Sequence, residues 1–231
     1  MSTAVCLVRR LDDHSPLPPM PLEDSVDSAL KRAIQNHDVN SAREFLTSHS
    51  FSLADDLIYN RLYDVIDKGN AIMMRLFLKY VPITKDERGD LVCDAVNLGR
   101  SDIVDELLLS GPISIETRSN AVLNSASLGF HNEMRALLRY GYIFEEEREQ
   151  AFAIAAREGD FIIFSELFLA FRGSFSPDCL GTALCSVATI GHEAMLNVLL
   201  RHSRIPPEYR TEAILHASRE GHQAVVNILK R

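Results

Sequence analysis

Seven times along this chain of 231 residues a short phrase recurs: small and apolar residues, a turn, then a Leu-rich run. The turn falls at His37, Gly69, Gly99, Gly129, Gly159, Gly191 and Gly221, at spacings of 32, 30, 30, 30, 32 and 30 residues. A fixed period of this size is the mark of a solenoid, in which each unit buries its apolar face only against its neighbours. The expected fold class is therefore all-α: an α-solenoid of about seven helix-turn-helix repeats of 30–32 residues each.

Counting from the turn residue fixes two helices per unit. Eight positions before it stand Ala29, Arg61, Leu91, Ala121, Ala151, Ala183 and Ala213, and seven before it Leu30, Leu62, Val92, Val122, Phe152, Leu184 and Ile214. With the small pairs Ala155-Ala156 and Val187-Ala188 they define one small-residue stripe on a first helix, which lets the next unit approach closely. After the turn, positions five, eight and nine carry a second stripe, as in Val104, Leu107, Leu108 and in Met134, Leu137, Leu138. That spacing predicts an amphipathic second helix running antiparallel to the first. Each turn glycine is expected to take the left-handed conformation that ends the first helix.

Sixteen residues before most turns lies one more apolar position: Leu53, Ile83, Ile113, Ile143, Phe175 and Ile205. Start signals follow it. Thr84 with Glu87 fits a capping box, Ser176-Pro177 fits an N-cap with proline at N1, and Pro206-Pro207 fits the same arrangement. The first helices are thus predicted to begin about fourteen residues before their turns. An acidic residue follows each start from the third unit on (Asp86, Glu116, Glu146, Asp178, Glu208), where it complements the helix dipole. Two positions further runs a basic row of Arg88, Arg118, Arg148 and Arg210, broken by Leu180. These rows are expected to form a ladder of exposed ion pairs between units, or else to face a charged partner.

The domain organisation follows: residues 1–24 form a flexible Pro-rich arm and residues 25–231 the repeat domain. Ser15 to Glu23 carries Pro16-x-x-Pro19 and Pro18-x-x-Pro21 without flanking bases, which favours a linker over a recognised polyproline ligand. Residues 1–24 as a whole are also compatible with a leader for a specialised secretion system. At the other end, Lys230 replaces the large apolar residue found nine positions after earlier turns, as a solvent-facing cap should.

A net charge of −8 opposes nucleic acid and anionic membrane surfaces, both of which select basic faces. The most apolar stretch, FIIFSELFLAF from Phe161 to Phe171, is about half the length of a spanning helix and contains Glu166. No Sec signal is expected, because Arg9, Arg10, Asp12 and Asp13 interrupt any early apolar run. Cys6, Cys93, Cys179 and Cys185 have unrelated spacings and read as reduced thiols. A metal site from Cys179, Cys185, His192 and His202 lacks any supporting spacing, and no nucleophile elbow, P-loop, GxGxxG or HExxH is present. No catalytic residue, cofactor or metal is therefore assigned.

The phrases GRSDIVDELLLSG (Gly99 to Gly111), ATIGHEAMLNVLL (Ala188 to Leu200) and ASREGHQAVVNIL (Ala217 to Leu229) resemble the ankyrin repeat. The likeness covers residues from about 25 to 231, with the pairs Gly191-His192 and Gly221-His222 as matching features. The family's Thr-Pro-Leu-His start is absent, replaced for example by Asn120-Ala121-Val122-Leu123. Units are about three residues short of the family's roughly 33. Start signals also occupy the stretch where ankyrin repeats project β-turn fingers. The resemblance thus implies a finger-less variant with longer first helices. Ser110-Gly-Pro-Ile-Ser114 before Arg118 resembles repeats common in proteins of obligate intracellular bacteria. The ankyrin likeness also implies that His192 and His222 are structural, bonding across loops.

By the same resemblance, residues just before the turn face the concave groove and recognise partners. Here the last of them are Asn36, Lys68, Leu98, Leu128, Glu158, Ile190 and Glu220. Leu98, Leu128 and Ile190 would form an apolar strip there, or be buried if the shorter units pack more tightly. The fifth unit supplies Phe161 and Ile162, where other units are mostly polar, and Phe171 before a two-residue insertion. A helix apolar on every side must be covered; the inserted loop or the arm is expected to cover it, with a second copy or a partner as the alternative. The expected function is protein–protein interaction as a scaffold or adaptor, in a bacterial cytoplasm or, for an exported effector, a host cell. The chain is expected to be a monomer or weak homodimer. Alternatives are a homodimeric scaffold and an enzyme with an unrecognised site in the second or fifth unit.

Overall fold

A computed structural model describes residues 22–48, 56–202 and 204–231. Among them are fourteen helices and no strand. They pair as α1 (Leu22–Gln35) with α2 (Val39–Ser48), α3 (Asp56–Lys68) with α4 (Ala71–Tyr80), and α5 (Lys85–Asn97) with α6 (Ser101–Ser110). Next come α7 (Ile115–Leu128) with α8 (His131–Arg139), α9 (Glu145–Glu158) with α10 (Phe161–Ala170), α11 (Pro177–Ile190) with α12 (Glu193–His202), and α13 (Pro207–Arg219) with α14 (Gln223–Leu229). None of these helices is long and apolar enough to cross a membrane. Because α1 already begins at Leu22, helix extends into the last residues of the expected arm. Residues 1–21, with Cys6 and all of the Pro-rich stretch before Leu22, and Leu53 lie outside the described residues.

Every predicted turn ends its first helix in the left-handed conformation, with φ running from 56° at His37 to 81° at Gly221. In each, the N–H of the residue after the turn donates to the carbonyl five residues back, from His222 to Ala217 at 2.8 Å through Asn70 to Val65 at 3.3 Å. This is the Schellman closure, which satisfies helix-end carbonyls that would otherwise be orphaned. The predicted starts hold as well. Thr84 accepts from Glu87 N–H while Glu87 Oε2 accepts from Thr84 N–H at 2.7 Å, and Ser176 Oγ accepts from Cys179 N–H at 3.1 Å. Pro207 occupies the first turn of α13, but its N-cap is Pro206, whose side chain caps nothing.

First helices pack on first helices and second helices on second helices along the whole series, giving two layers joined within each unit. Contacts in the first layer keep one register. A Cβ on Gly89 would lie 3.1 Å from Thr117, and a Cβ on Gly181 would enter the Tyr209 ring; both pairs join the tenth position before one turn to the twelfth before the next. Tyr209 Oη also donates to Asp178 Oδ1 at 2.9 Å. Between the end units, the seven-before and eight-before stripes are buried between the layers, as are Val104, Leu107, Met134 and Leu137. At the ends the cover is thinner: Ala29 is half-buried in the first unit, and in the last Ile214 is half-buried and Leu215 exposed. Burial of each large aliphatic side chain contributes about 1.5–3 kcal/mol. Arg61 is the departure in the eight-before row: it is buried and pairs with Asp27 of α1 at 3.0 Å and with Asp64.

The basic row is neither an exposed ladder nor a partner-facing row. Arg88, Arg118 and Arg148 are buried, and they bond the end of their own unit's second helix or the loop that leaves it. Arg88 donates to Ser110 Oγ and to the Pro112 carbonyl, both at 3.0 Å; Arg118 donates to the Leu137 carbonyl at 3.3 Å; Arg148 donates to the Ser174 carbonyl at 2.7 Å. Desolvation pushes the Arg88 and Arg118 pKa values down from the ordinary guanidinium range. A Cβ on Gly111 would sit 2.8 Å from the Arg88 guanidinium carbon, and one on Gly141 would sit 3.3 Å from that of Arg118. Arg210, in the seventh unit, departs from the row and is exposed.

Candidate interaction face

The first-helix layer presents one open face. Leu98 caps α5, with its N–H donating to the Asp94 carbonyl at 3.1 Å, while Leu128 and Ile190 are the last residues of α7 and α11. Their side chains are 38%, 49% and 38% exposed, so tighter packing of the short units does not bury them. Ile190 leans toward the neighbouring turn, where its Cδ1 lies 3.2 Å from the place of a Cβ on Gly159. Polar residues hold the equivalent positions beside them: Lys68 pairs with Asp67 at 3.2 Å, and Glu158 with Arg157 at 3.0 Å.

At the opposite end of the same helices stand the exposed carboxylates Asp86, Glu116, Glu146 and Asp178. Nearer the middle, Asp90 and Asp94 crowd around Tyr59 and Cys93. Burial, then repulsion from Asp90, raises the Asp94 carboxyl pKa; burial, with these carboxylates behind it, raises Tyr59 and Cys93. The group is a source of negative potential. It does not form a metal centre: among the described residues no three His, Cys, Asp or Glu side chains are gathered as metal ligands.

The four residues of the conceivable metal set are held apart by separate partners. Cys179 Sγ faces the Glu149 carbonyl at 3.9 Å and Cys185 Sγ the Tyr209 carbonyl at 3.7 Å. His192 stacks on Phe161 with ring centroids 5.8 Å apart, and His202 Nδ1 accepts from Arg172 at 2.8 Å. Burial pushes the Cys179 thiol up to about 12 and the Cys185 thiol up to about 11, so both stay protonated near neutrality. Cys93, Cys179 and Cys185 are free thiols.

The two histidines after turns differ. His222 spans units, its Nε2 lying 3.0 Å from the Thr189 carbonyl, as a structural histidine should. His192 instead caps its own helix, accepting from Met195 N–H at 3.4 Å through Nδ1. Other residues at this position cap α4 and α10: Asn70 accepts from Met73 N–H and Asp160 from Ile163 N–H, both at 3.0 Å. The sequence signal for them was an Asn or Asp directly after the turn glycine.

In the fifth unit, Ile163, Phe164, Leu167 and Phe168 of α10 are buried, and Phe152 stacks on Phe164 and Phe175 at 4.6 and 4.3 Å. Phe171 is half-buried, with the Arg148 guanidinium 5.3 Å from its ring centre. Phe161 stacks on His192 yet stays partly open, and Ile162 and Leu169 are exposed, so the inserted loop does not cover this face. Compared with known proteins, the chain matches no family model, no curated protein and no solved structure.

Proposed function

We propose that the chain is an ankyrin-like α-solenoid that works by protein–protein recognition, as a scaffold or adaptor and not as an enzyme. The observation that carries this reading is the exposure of Leu98, Leu128 and Ile190 at one register position on one face. Side chains of this kind at a repeated, otherwise polar position are suited to seating apolar groups of another protein. No cofactor is assigned, and the proposed setting is the cytoplasm of a bacterium or of a host that receives the protein as an effector.

The test is capture of partners from host and bacterial lysates with wild type and with Leu98→Ala/Leu128→Ala/Ile190→Ala, each checked by chemical denaturation. A folded triple variant that loses wild-type partners supports the reading; one that retains them all overturns it. A second reading, a homodimeric scaffold, is favoured by Ile162 and Leu169, seven residues apart and both exposed on α10. Light scattering of wild type against Ile162→Asp/Leu169→Asp tests it: a dimer in wild type alone is required.

A further inference from the structure

From α5 to α11 the first layer pairs its charges differently from the second, although at the start of the series Arg61 of α3 does reach Asp27 of α1 at 3.0 Å. In the second layer carboxylates meet bases across helices: Arg75 with Glu106, Arg135 with Glu166 at 2.7 Å, and Arg139 with Asp105 at 3.6 Å. In α5, α7, α9 and α11 the only bases are Lys85, Arg157 and the buried Arg88, Arg118 and Arg148. Arg157 is already paired with its neighbour Glu158. Among the described residues, the exposed carboxylates of these four helices therefore carry no cation from an adjacent helix, and Glu147 Oε2 has no hydrogen-bond partner. Carboxylates repeated in register without facing bases give this face a negative potential, which favours a cationic occupant.

The apolar strip adds a second requirement. Asp86 and Leu98 stand twelve residues apart along one helical run, as do Glu116 and Leu128, and Asp178 and Ile190. At 1.5 Å per residue the acidic and aliphatic strips are offset by about 18 Å along the helix axes. An α-helix is about 10–12 Å across with its side chains, so one helix lying across the series fills the space between them. Its apolar side meets Leu98, Leu128 and Ile190, and its long Lys or Arg side chains reach the carboxylates. Helix-in-face recognition of this sort takes affinity from apolar anchors and orientation from charge.

We propose that the first-layer face docks an amphipathic, lysine- or arginine-rich α-helix of another polypeptide, laid across α5, α7, α9 and α11. This rests on the protein-interaction reading and specifies the partner's chemistry. The probe is a fluorescein-labelled synthetic peptide of Leu and Lys with helical periodicity, compared with an all-Lys peptide and with the same peptide carrying Glu for Lys, all followed by anisotropy.

Wild type is expected to bind the Leu–Lys peptide best, with affinity falling at least tenfold as salt rises from low to several hundred millimolar. Asp90→Asn/Glu116→Gln/Glu146→Gln is expected to lose at least tenfold, and so is the Leu98/Leu128/Ile190 alanine variant. Asp102→Asn/Glu193→Gln/Glu44→Gln removes as much charge from exposed second-layer positions and should bind as wild type does. Equal loss in that control, equal binding of the all-Lys peptide, preference for the Glu peptide, or no binding by folded wild type overturns the proposal. Lysate partners that depend on the aliphatic strip but bind the Asp90/Glu116/Glu146 variant normally would overturn the basic-helix proposal alone. Loss of strip dependence would overturn the interaction reading as well.

Discussion

Arg88 reaches from α5 to the Pro112 carbonyl, 3.0 Å away on the loop that leaves its own repeat, and its guanidinium fills the space beside Gly111. The packing recurs one unit later, where Arg118 lies beside Gly141 and donates to the Leu137 carbonyl at the end of α8. Because these guanidinium groups are buried, removing one takes a donor from the Pro112 or Leu137 carbonyl and empties packed space, at about 1–3 kcal/mol. Arg88→Met and Arg118→Met are expected to lower the denaturation midpoint. Lysine at Arg88 should recover little, since an ammonium cannot reproduce a planar fork that bonds Ser110 Oγ and the Pro112 carbonyl together. Arg210→Met, at the exposed equivalent, should leave the midpoint unchanged.

Turn glycines separate two costs. Gly191 has φ +76° and a Cβ there would lie 2.5 Å from His222 Nδ1, whereas Gly221 has φ +81° with nothing within 4 Å. Gly221→Ala should therefore cost only the backbone penalty, about 1–2 kcal/mol. Gly191→Ala should cost that and a displaced imidazole too. A double-mutant cycle with His222→Ala measures the difference: the coupling should be present at Gly191 and absent at Gly221.

The turns, starts and apolar stripes were legible in the sequence because each is decided locally. A left-handed residue, a capping hydroxyl and a stripe at helical spacing need no knowledge of what lies opposite. The arginines were not legible in that way. Glu116 and Arg118 stand two residues apart, and such positions do not share a helix face, so the acidic row points out while the arginine turns inward. The usable signal was a pairing at a distance: Arg88 with Gly111, and Arg118 with Gly141, one repeat after another. Exposure of Leu98, Leu128 and Ile190 was equally beyond periodicity, since a last-turn residue sits at the edge of the stripe and neighbouring units decide its cover.

Core and face residues should respond in opposite ways. Leu107 and Leu137 are fully buried in the second layer, and alanine at either is expected to cost about 2–5 kcal/mol through the cavity it leaves. Alanine at Leu98 or Leu128 should shift the midpoint by a small fraction of that. Equal shifts at the two classes in urea titrations would overturn the assigned register.

Burial should also show in thiol chemistry. With Cys179 held up at about 12 and Cys185 at about 11, neither supplies appreciable thiolate at pH 8, and the native protein should react with iodoacetamide at these two sites far more slowly than after unfolding. Mass-spectrometric mapping of alkylated peptides with and without denaturant reads the difference. Rapid native labelling at Cys179 would show that α9 and α11 separate readily there.

Asp94 makes the crowding of the open face measurable without any partner. Its folded-state pKa is raised, first by burial and then by Asp90, so the folded protein holds this proton more tightly than the unfolded chain does. Stability must then fall as pH rises from the unfolded carboxylate pKa through the higher folded one, and the full penalty is present at pH 7. Asp94→Asn removes the ionisable group while keeping its shape, and should be more stable than wild type at pH 7. The advantage should shrink as pH drops below the carboxylate range, where Asp94 is itself neutral in both states. Asp90→Asn should act in the same direction by removing the repelling charge, and adding both substitutions should gain less than the sum of each alone. Denaturation midpoints across pH 3–8 check the sign: a variant less stable at pH 7, or an advantage that grows toward low pH, would show that Asp94 is stabilised by its surroundings and not strained by them.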